Sequence, residues 1–249
     1  MAGAVAGVPG QASSGSSFLD LARGSAAHVV VDNLDSPVLD ETDRHHLASV
    51  LRLRDGEIVS ATDGRGGWRM CRFGGGRSLV AEGPAGSCDR PVPAVCVTFA
   101  PVKGDRTEWA VQKLTELGVD RICLMHTERS VVRWEGARAE SHLRKLHAVA
   151  RQAVMQSRGL WLPSLEGVIN FEDAAAMADA AVAEPGGSPI SLAAPTVLVG
   201  PEGGWSDRER AAAAGRTVSL GAGVLRTETA AVAAGVLLTA LRAGVVAAT

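Results

Sequence analysis

The chain has 249 residues, of which 46% are hydrophobic and 21% charged, with a formal net charge of −2. This balance is typical of a globular protein that buries a core, and it excludes disorder over the whole length. The length exceeds that of most single domains and favours two. The four cysteines have neither metal-binding nor paired spacing, so the pattern indicates no metal site and no disulfide framework.

The N-terminal residues 1–27 are predicted to be a disordered tail. The first part of this segment is rich in small and polar residues, including Ser13, Ser14, Ser16 and Ser17, and it lacks the basic start and apolar stretch of a signal peptide. The most apolar run of the chain, 229–241, has 13 residues, whereas a membrane span needs about 20. We therefore expect a cytoplasmic protein without a transmembrane segment.

Residues 28–87 predict a small β-rich domain. Short strands are expected at 28–32, 57–62, 67–73 and 78–81, with turns at Asp55-Gly56 and Asp63-Gly64. A helix is expected over 43–53, where Leu47, Val50 and Leu51 share one face. Residues 44–77 contain seven arginines and three acidic residues, an excess that suits contact with a phosphate backbone and equally an ordinary solvated face.

A linker is predicted at 88–93, because the proline- and glycine-rich stretch that begins at Gly83 cannot continue a helix or a central strand. Beyond it, over 94–249, strands alternate with helices. Strands are expected at 94–100, 121–125, 196–200 and 217–220, and helices at 105–117, 137–157, 171–181, 207–214 and 227–242. This alternation predicts a mostly parallel sheet with helices on both faces and a ligand at the carboxyl ends of its strands.

Two glycine-rich turns follow the last two predicted strands. The first is Gly200-Pro201-Glu202-Gly203-Gly204 and the second begins at Gly221 and runs to Arg226, just before the last helix. Neither matches a phosphate-binding P-loop or a dinucleotide fingerprint. Each alone can be a structural turn, but together they can form one pocket, in which Arg226 is the candidate cation.

The same runs resemble those of the 16S ribosomal RNA (uracil-N3) methyltransferases, a family of the SPOUT class of knotted methyltransferases. The resemblance extends from residue 28 to residue 243 in the family's order. It rests on 198–205 and 219–230, on 102–119 with its Lys103-Gly104-Asp105 and Gln112-Lys113 segments, on Thr127-Glu128-Arg129-Ser130, and on His45-His46-Leu47 with Val50-Leu51-Arg52.

The resemblance implies a small N-terminal PUA-like β-barrel and a C-terminal α/β domain with a trefoil knot. It implies S-adenosyl-L-methionine as the cofactor, 16S ribosomal RNA in the small ribosomal subunit as the substrate, and a homodimer. The matching cofactor-binding positions are Leu198, Gly200, Glu202, Gly203, Leu220, Gly221, Leu225 and Arg226. The small domain is then expected to bind RNA through Arg52, Arg54, Arg65, Arg69 and Arg72.

For the implied reaction, Arg226 and Glu202 are the candidate catalytic residues. Arg226 is expected to stabilise the charge that develops on the uracil carbonyl oxygens. Glu202 either takes the N3 proton or holds its loop by accepting backbone N–H bonds. Two alternatives are a non-catalytic RNA-binding or assembly protein, which the intact glycine loops disfavour, and a knotted transfer RNA ribose 2′-O-methyltransferase.

Two positions depart from the family pattern. The first strand reads Ala27-His28-Val29, where members commonly have an arginine and an aromatic residue, and Met155 stands where members commonly have an acid.

Overall fold

The computed structural model describes residues 18–213 and 215–247. In the N-terminal part, helix α1 spans Phe18–Arg23 and helix α2 spans Glu41–His45, continued by one π-helical turn at His46–Val50. The four strands are β1 (Ala27–Val30), β2 (Ile58–Thr62), β3 (Gly67–Arg72) and β4 (Val80–Ser87). They form one sheet in the order β1-β2-β3-β4, parallel between β1 and β2 and antiparallel elsewhere. The small β-rich domain is confirmed.

The C-terminal part is an α/β domain. Its strands are β5 (Cys96–Phe99), β6 (Arg121–His126), β7 (Ser164–Asn170), β8 (Ala180–Pro189), β9 (Thr196–Val199) and β10 (Thr217–Ser219). Its helices are α3 (Arg106–Glu116), α4 (Gly136–Ser157), α5 (Phe171–Ala175), α6 (Asp207–Ala212) and α7 (Thr227–Arg242). The sheet order is β10-β8-β9-β5-β6-β7, and every pairing is parallel.

Burial of the central strands follows from their position between two layers of helices. Val197 and Val199 of β9 belong to one hydrophobic cluster, which includes Leu114 of α3 and Leu238 of α7. Leu198 faces the other way, into a second cluster with residues such as Phe171 and Trp205. Successive side chains of a strand point to opposite faces, so a strand covered on both faces is apolar throughout. All carboxyl ends of this parallel sheet lie at one edge.

Several predicted elements need correction. Residues 1–17 of the predicted tail lie outside the described residues, but 18–27 are structured: they form α1 and the start of β1. The predicted helix at 171–181 is wrong beyond Ala175, because β8 begins at Ala180. Strand β7 lies where the sequence predicts neither a strand nor a helix. Residue 214, the predicted end of α6, lies outside the described residues.

The domain boundary is less abrupt than the proline and glycine content suggests. Strand β4 continues through Gly83, Pro84 and Gly86 to Ser87. It does so at the edge of its sheet, where the pairing with β3 shifts between Trp68 and Met70, and proline is tolerated in an edge strand. The linker at 88–93 stays a prediction, and so does the trefoil knot.

Candidate active site

The two glycine-rich turns meet at the carboxyl edge of the parallel sheet. The first follows β9 and the second follows β10. The hydroxyl of Thr227, in the first turn of α7, donates a hydrogen bond of 2.9 Å to the carbonyl of Gly200. This bond ties the start of α7 to the end of β9. The predicted juxtaposition of the two loops is therefore present in the fold.

A cavity of about 170 Å³ lies between these loops. Three chain segments line it, namely 183–185 at β8, 199–205 after β9, and 220–230 before and within α7. Its lining residues include Ala183, Glu184, Pro185, Val199, Gly200, Pro201, Glu202, Trp205, Leu220, Gly221, Gly223, Val224, Leu225 and Thr227. Most of the side chains in this set are apolar, and the glycines place bare backbone at the cavity.

Trp205 forms a fixed wall of the cavity. Its ring nitrogen donates to the carbonyl of Ala183 at 3.0 Å, and its ring packs against Phe171. A Cβ on Gly200 would lie 3.0 Å from the Trp205 ring, closer than most such contacts, so a larger residue at that position would push against the ring. The glycine at 200 thus permits the tryptophan to close the inner side of the cavity.

The β8 segment is the part of the site that sequence reasoning missed. Glu184 lies at the cavity, and its carboxylate accepts from Nε of Arg210 at 3.1 Å. Because a helix is expected at 171–181 and no element between it and the strand at 196–200, the sequence predicts no strand at Glu184. The only available signal was the Pro185-Gly186-Gly187 turn, which resembles any surface turn.

Five of the eight predicted cofactor-binding residues line the cavity: Gly200, Glu202, Leu220, Gly221 and Leu225. The other three lie close by. Leu198 is fully buried beneath the loop, and Gly203 faces Arg129, whose Cβ would be 3.1 Å from an added Cβ. Arg226 is the exposed residue just before α7.

Arg226 and Glu202 differ in their surroundings. The side chain of Arg226 makes no hydrogen bond or ion pair with the described residues, so it is free to meet a ligand. Glu202 is 47% exposed, and its Oε1 lies 3.7 Å from Nη1 of Arg106. The same Nη1 donates to Oε1 of the buried Glu228 at 3.2 Å. Arg106 is therefore a third charged residue beside the loops, which sequence reasoning did not select.

The loop after β6 supports the first glycine turn from outside. Arg129 donates to the carbonyl of Gly203 at 3.1 Å, and the backbone N–H of Glu128 donates to the buried Glu209 of α6 at 2.9 Å. At the start of this loop, burial and the nearby Arg133 lower the pKa of His126. Nε2 of its neutral ring accepts a hydrogen bond of 3.1 Å from the backbone N–H of Trp134. The loop is thus fixed by internal hydrogen bonds.

The arginines predicted to bind RNA fall into two groups. Arg52, Arg54 and Arg65 are exposed, and their side chains make no hydrogen bond or ion pair with described residues. Arg69 instead donates to the carbonyls of Leu34 and Gly83 and pairs with Asp35 at 3.1 Å, and Arg72 pairs with Glu82. Only the first group is free to contact a partner without breaking internal bonds.

Comparison with known proteins gives a consistent result. The profile of a family described as an RNA methyltransferase domain matches residues 89–239, and that of an RNA methyltransferase PUA domain matches residues 39–81. The ribosomal RNA small subunit methyltransferase E of Mycobacterium bovis is 34% identical over 220 residues, which cover 79% of this chain and 83% of the relative.

The chain belongs to this family of RNA methyltransferases.

Two solved structures agree with that assignment. The ribosomal RNA small subunit methyltransferase E from Neisseria gonorrhoeae, bound to S-adenosyl methionine, superimposes with a TM-score of 0.74 at 26% identity, over 86% of this chain and 97% of the other. A putative methyltransferase from Legionella pneumophila, in complex with the same cofactor, has a TM-score of 0.74 at 25% identity, over 86% and 96%. Within residues 18–213 and 215–247 of this RNA methyltransferase, the helices are too short or too polar to cross a membrane.

Proposed function

We propose that this RNA methyltransferase transfers a methyl group from S-adenosyl-L-methionine to N3 of one uridine in the 16S ribosomal RNA of the small subunit. The observation that carries the proposal is the pair of glycine loops, joined by the bond from Thr227 to Gly200, around one cavity at the carboxyl edge of the sheet. The relatives named above as small-subunit RNA methyltransferases, one of them bound to the cofactor, support it.

The residues at the cavity fit such a cofactor. An adenine ring needs apolar walls and backbone hydrogen-bond partners, and Val199, Leu220 and Leu225 with the adjoining glycines supply both. Leu198 supports the first loop from below, and Gly203 shapes its turn. When bound, the cofactor supplies a methyl group on a positively charged sulfur: the N3–H bond gives up its proton, the N3 electron pair forms the bond to the methyl carbon, and the S–CH3 electron pair stays on sulfur.

Within this proposal, Arg226 and Glu202 act on the uracil base. Arg226 is free in the structure and stands at the entry to α7, where it reaches a uracil carbonyl as negative charge develops on it. Glu202, exposed at the cavity, accepts the N3 proton. Positioning of the base next to the methyl group supplies much of the remaining rate enhancement.

The small domain holds the RNA. Arg52, Arg54 and Arg65 are its free cations, while Arg69 and Arg72 reach RNA only if they exchange internal partners. Uracil N3 is hidden by pairing in a duplex, so the target base must be unpaired or extruded. The proposal includes a homodimer, in which the partner completes the RNA surface, and a cytoplasmic location.

The test is nucleoside mass spectrometry of 16S RNA from cells that lack this protein. N3-methyluridine should disappear, and expression of the wild-type chain should restore it. A chain carrying Gly200→Val, which places a side chain against Trp205, should not restore it. Persistence of N3-methyluridine in the deletion strain, or loss of a ribose-methylated nucleoside instead, would contradict the proposed reaction.

A further inference from the structure

A cluster of three charged side chains connects α3 with the first glycine loop and with the first turn of α7. Arg106, the first residue of α3, donates from Nε to the carbonyl of Lys103 at 3.1 Å. Its Nη1 meets Glu228 of α7 at 3.2 Å and Glu202 of the first loop at 3.7 Å. The guanidinium is therefore held by α7 and by its own loop, while it remains 34% exposed.

The cluster leaves hydrogen-bonding groups unused. A carboxylate and a guanidinium prefer to form two parallel bonds, but Glu228 engages only Nη1 of Arg106. The second carboxylate oxygen of Glu228 is buried and has no partner among the described residues. The Glu228 side chain as a whole is only 8% exposed. Nη2 of Arg106 likewise makes no hydrogen bond with the described residues. An unsatisfied group in a native site needs an explanation, and the free Nη2 belongs to a guanidinium that lies next to Glu202, a residue that lines the cavity.

A second cation would stabilise the negative charge that develops on uracil when N3 loses its proton. N3 lies between two carbonyl groups, and loss of its proton spreads negative charge over both oxygens. In the function proposed above, Arg226 donates to one of these two carbonyl oxygens. A single arginine at the start of α7 leaves the other oxygen without a charged donor.

We propose that Arg106 donates through Nη2 to the second uracil carbonyl, with Glu228 as its positioning residue. In the transfer step, the N3 proton passes to Glu202, N3 bonds to the methyl carbon, and the S–CH3 electron pair stays on sulfur. A donor already fixed where charge develops needs no reorganisation during the reaction. The contact of Glu202 with the same Nη1 keeps the proton acceptor next to the carbonyl donor. This inference rests on the proposed function.

The experiment compares Arg106→Gln and Arg106→Lys with a matched control, Arg121→Gln. Arg121 is also a partly exposed arginine in a salt bridge, with Glu166 at 2.8 Å, but it begins β6 at the opposite edge of the sheet. Single-turnover methylation of small ribosomal subunits that lack the modification is measured at saturating cofactor across a range of pH. Cofactor affinity is measured by calorimetry.

With Arg106→Gln, the rate should fall about 10²- to 10³-fold, as when one oxyanion donor is removed. The rising limb of the pH profile should move to higher pH, because the bound uracil then loses its proton less readily. Lysine should rescue part of the rate, since it keeps the charge but lacks the planar fork. Cofactor affinity, and the rate of Arg121→Gln, should stay at the wild-type values.

Glu228→Gln separates the positioning role from cofactor binding. It should lower the rate and move the pH profile in the same direction as Arg106→Gln, with unchanged cofactor affinity. Loss of cofactor affinity with a normal rate at saturation would instead assign the cluster to the methyl donor and overturn the inference. An equal fall at every pH, together with a lower melting temperature, would also overturn it. If the wild-type chain forms no N3-methyluridine, the proposed function itself fails; if it does and Arg106→Gln matches it, only this inference fails.

Discussion

Arg226 can be tested as a single residue because nothing in the described structure depends on its side chain. It is exposed and without polar partners, and surface substitutions of that kind change stability by less than about 0.5 kcal/mol. Arg226→Ala should therefore lower methyl transfer about 10²- to 10³-fold at saturating cofactor while the melting temperature stays constant. The measurement is single-turnover methylation of small subunits beside thermal melts. A folded variant with a rate near that of wild type would refute a catalytic role.

We expect Gly203 to act on the proposed cofactor site indirectly, because it does not line the cavity itself. An added Cβ would lie 3.1 Å from the Cβ of Arg129, so Gly203→Val should push the first loop away from its support and not fill the cavity. We expect weaker binding of S-adenosylmethionine in calorimetric titration. Gly76→Val is the control, because no atom lies within 4 Å of its added Cβ and the residue belongs to the other domain. Equal affinity in both variants would remove Gly203 from the site.

At the scale of elements, the sequence predicts the long and strongly patterned ones. Helix α7 has the predicted bounds, and the bounds of β5, β6 and β9 lie within two residues of the predicted ones, because strands covered on both faces are continuously apolar. Strands β7 and β8 could not be predicted. Strand β7 contains Gly167, and β8 contains Pro185-Gly186-Gly187. Glycine and proline are typical of turns, so the sequence gives no strand signal there.

Close backbone contact explains why β8 has a glycine at position 187. A Cβ on Gly187 would lie 2.7 Å from the backbone of Val218 in β10, so only glycine permits this pairing. In the candidate site, too, only part of the structure can be predicted from the sequence. Its two glycine loops are visible as motifs, whereas the β8 wall and the Arg106 cluster depend on contacts between residues far apart in the chain.

Among the arginines predicted to bind RNA, some have side chains without internal bonds and others are held by hydrogen bonds or ion pairs within the small domain. Replacing Arg54 and Arg65 with glutamine should weaken RNA binding and reduce its salt dependence, by a slope of about 0.7 for each lost contact with a single-stranded phosphate. Melting temperature should not change. Arg69→Gln should instead lower the melting temperature, because it removes bonds to Leu34, Gly83 and Asp35. Binding is measured by titration at several salt concentrations, with Arg121→Gln as control; an unchanged slope in the double variant would mean that this face is only solvated.

At the scale of the whole molecule, the two domains are joined by several buried or partly buried contacts. The turn between β2 and β3 pairs with the chain after α4, through Gly66 N–H to Leu160 and Leu162 N–H to Gly64, both at 2.9 Å. Arg151 of α4 pairs with Asp43 at 2.5 Å and donates to the carbonyl of Val30. Met155, which stands where members of the family commonly have an acidic residue, packs against the hydrophobic core of the small domain. An apolar side chain at this position therefore suits the junction between the domains. The two domains are thus tied together by hydrogen bonds, an ion pair and apolar packing.

We expect His28 to make this junction sensitive to acid. Its Nε2 donates to the carbonyl of Gly159 at 2.9 Å, and its Nδ1 and the hydroxyl of Ser60 form a hydrogen bond of 2.8 Å; both bonds are compatible with the neutral ring that its lowered pKa implies. Burial, and then the charge of Arg158, lower the pKa of His28 from 6.5 to about 4. The unfolded chain therefore binds more protons than the folded one between these two values, and stability falls as the pH is lowered through that window.

The expected loss from this one residue is on the order of 2–3 kcal/mol at the acid end of the window. Urea unfolding of wild type and His28→Gln, at several values from pH 6.5 down to about pH 4, measures it. Glutamine keeps a donor for Gly159 but does not titrate, so its stability should fall less steeply than that of wild type. Carboxylates elsewhere titrate in both proteins, and their contribution cancels in the difference between the two curves. Parallel curves would show that His28 is already protonated in the folded protein or that the junction tolerates its charge, and either result contradicts the neutral ring assigned here.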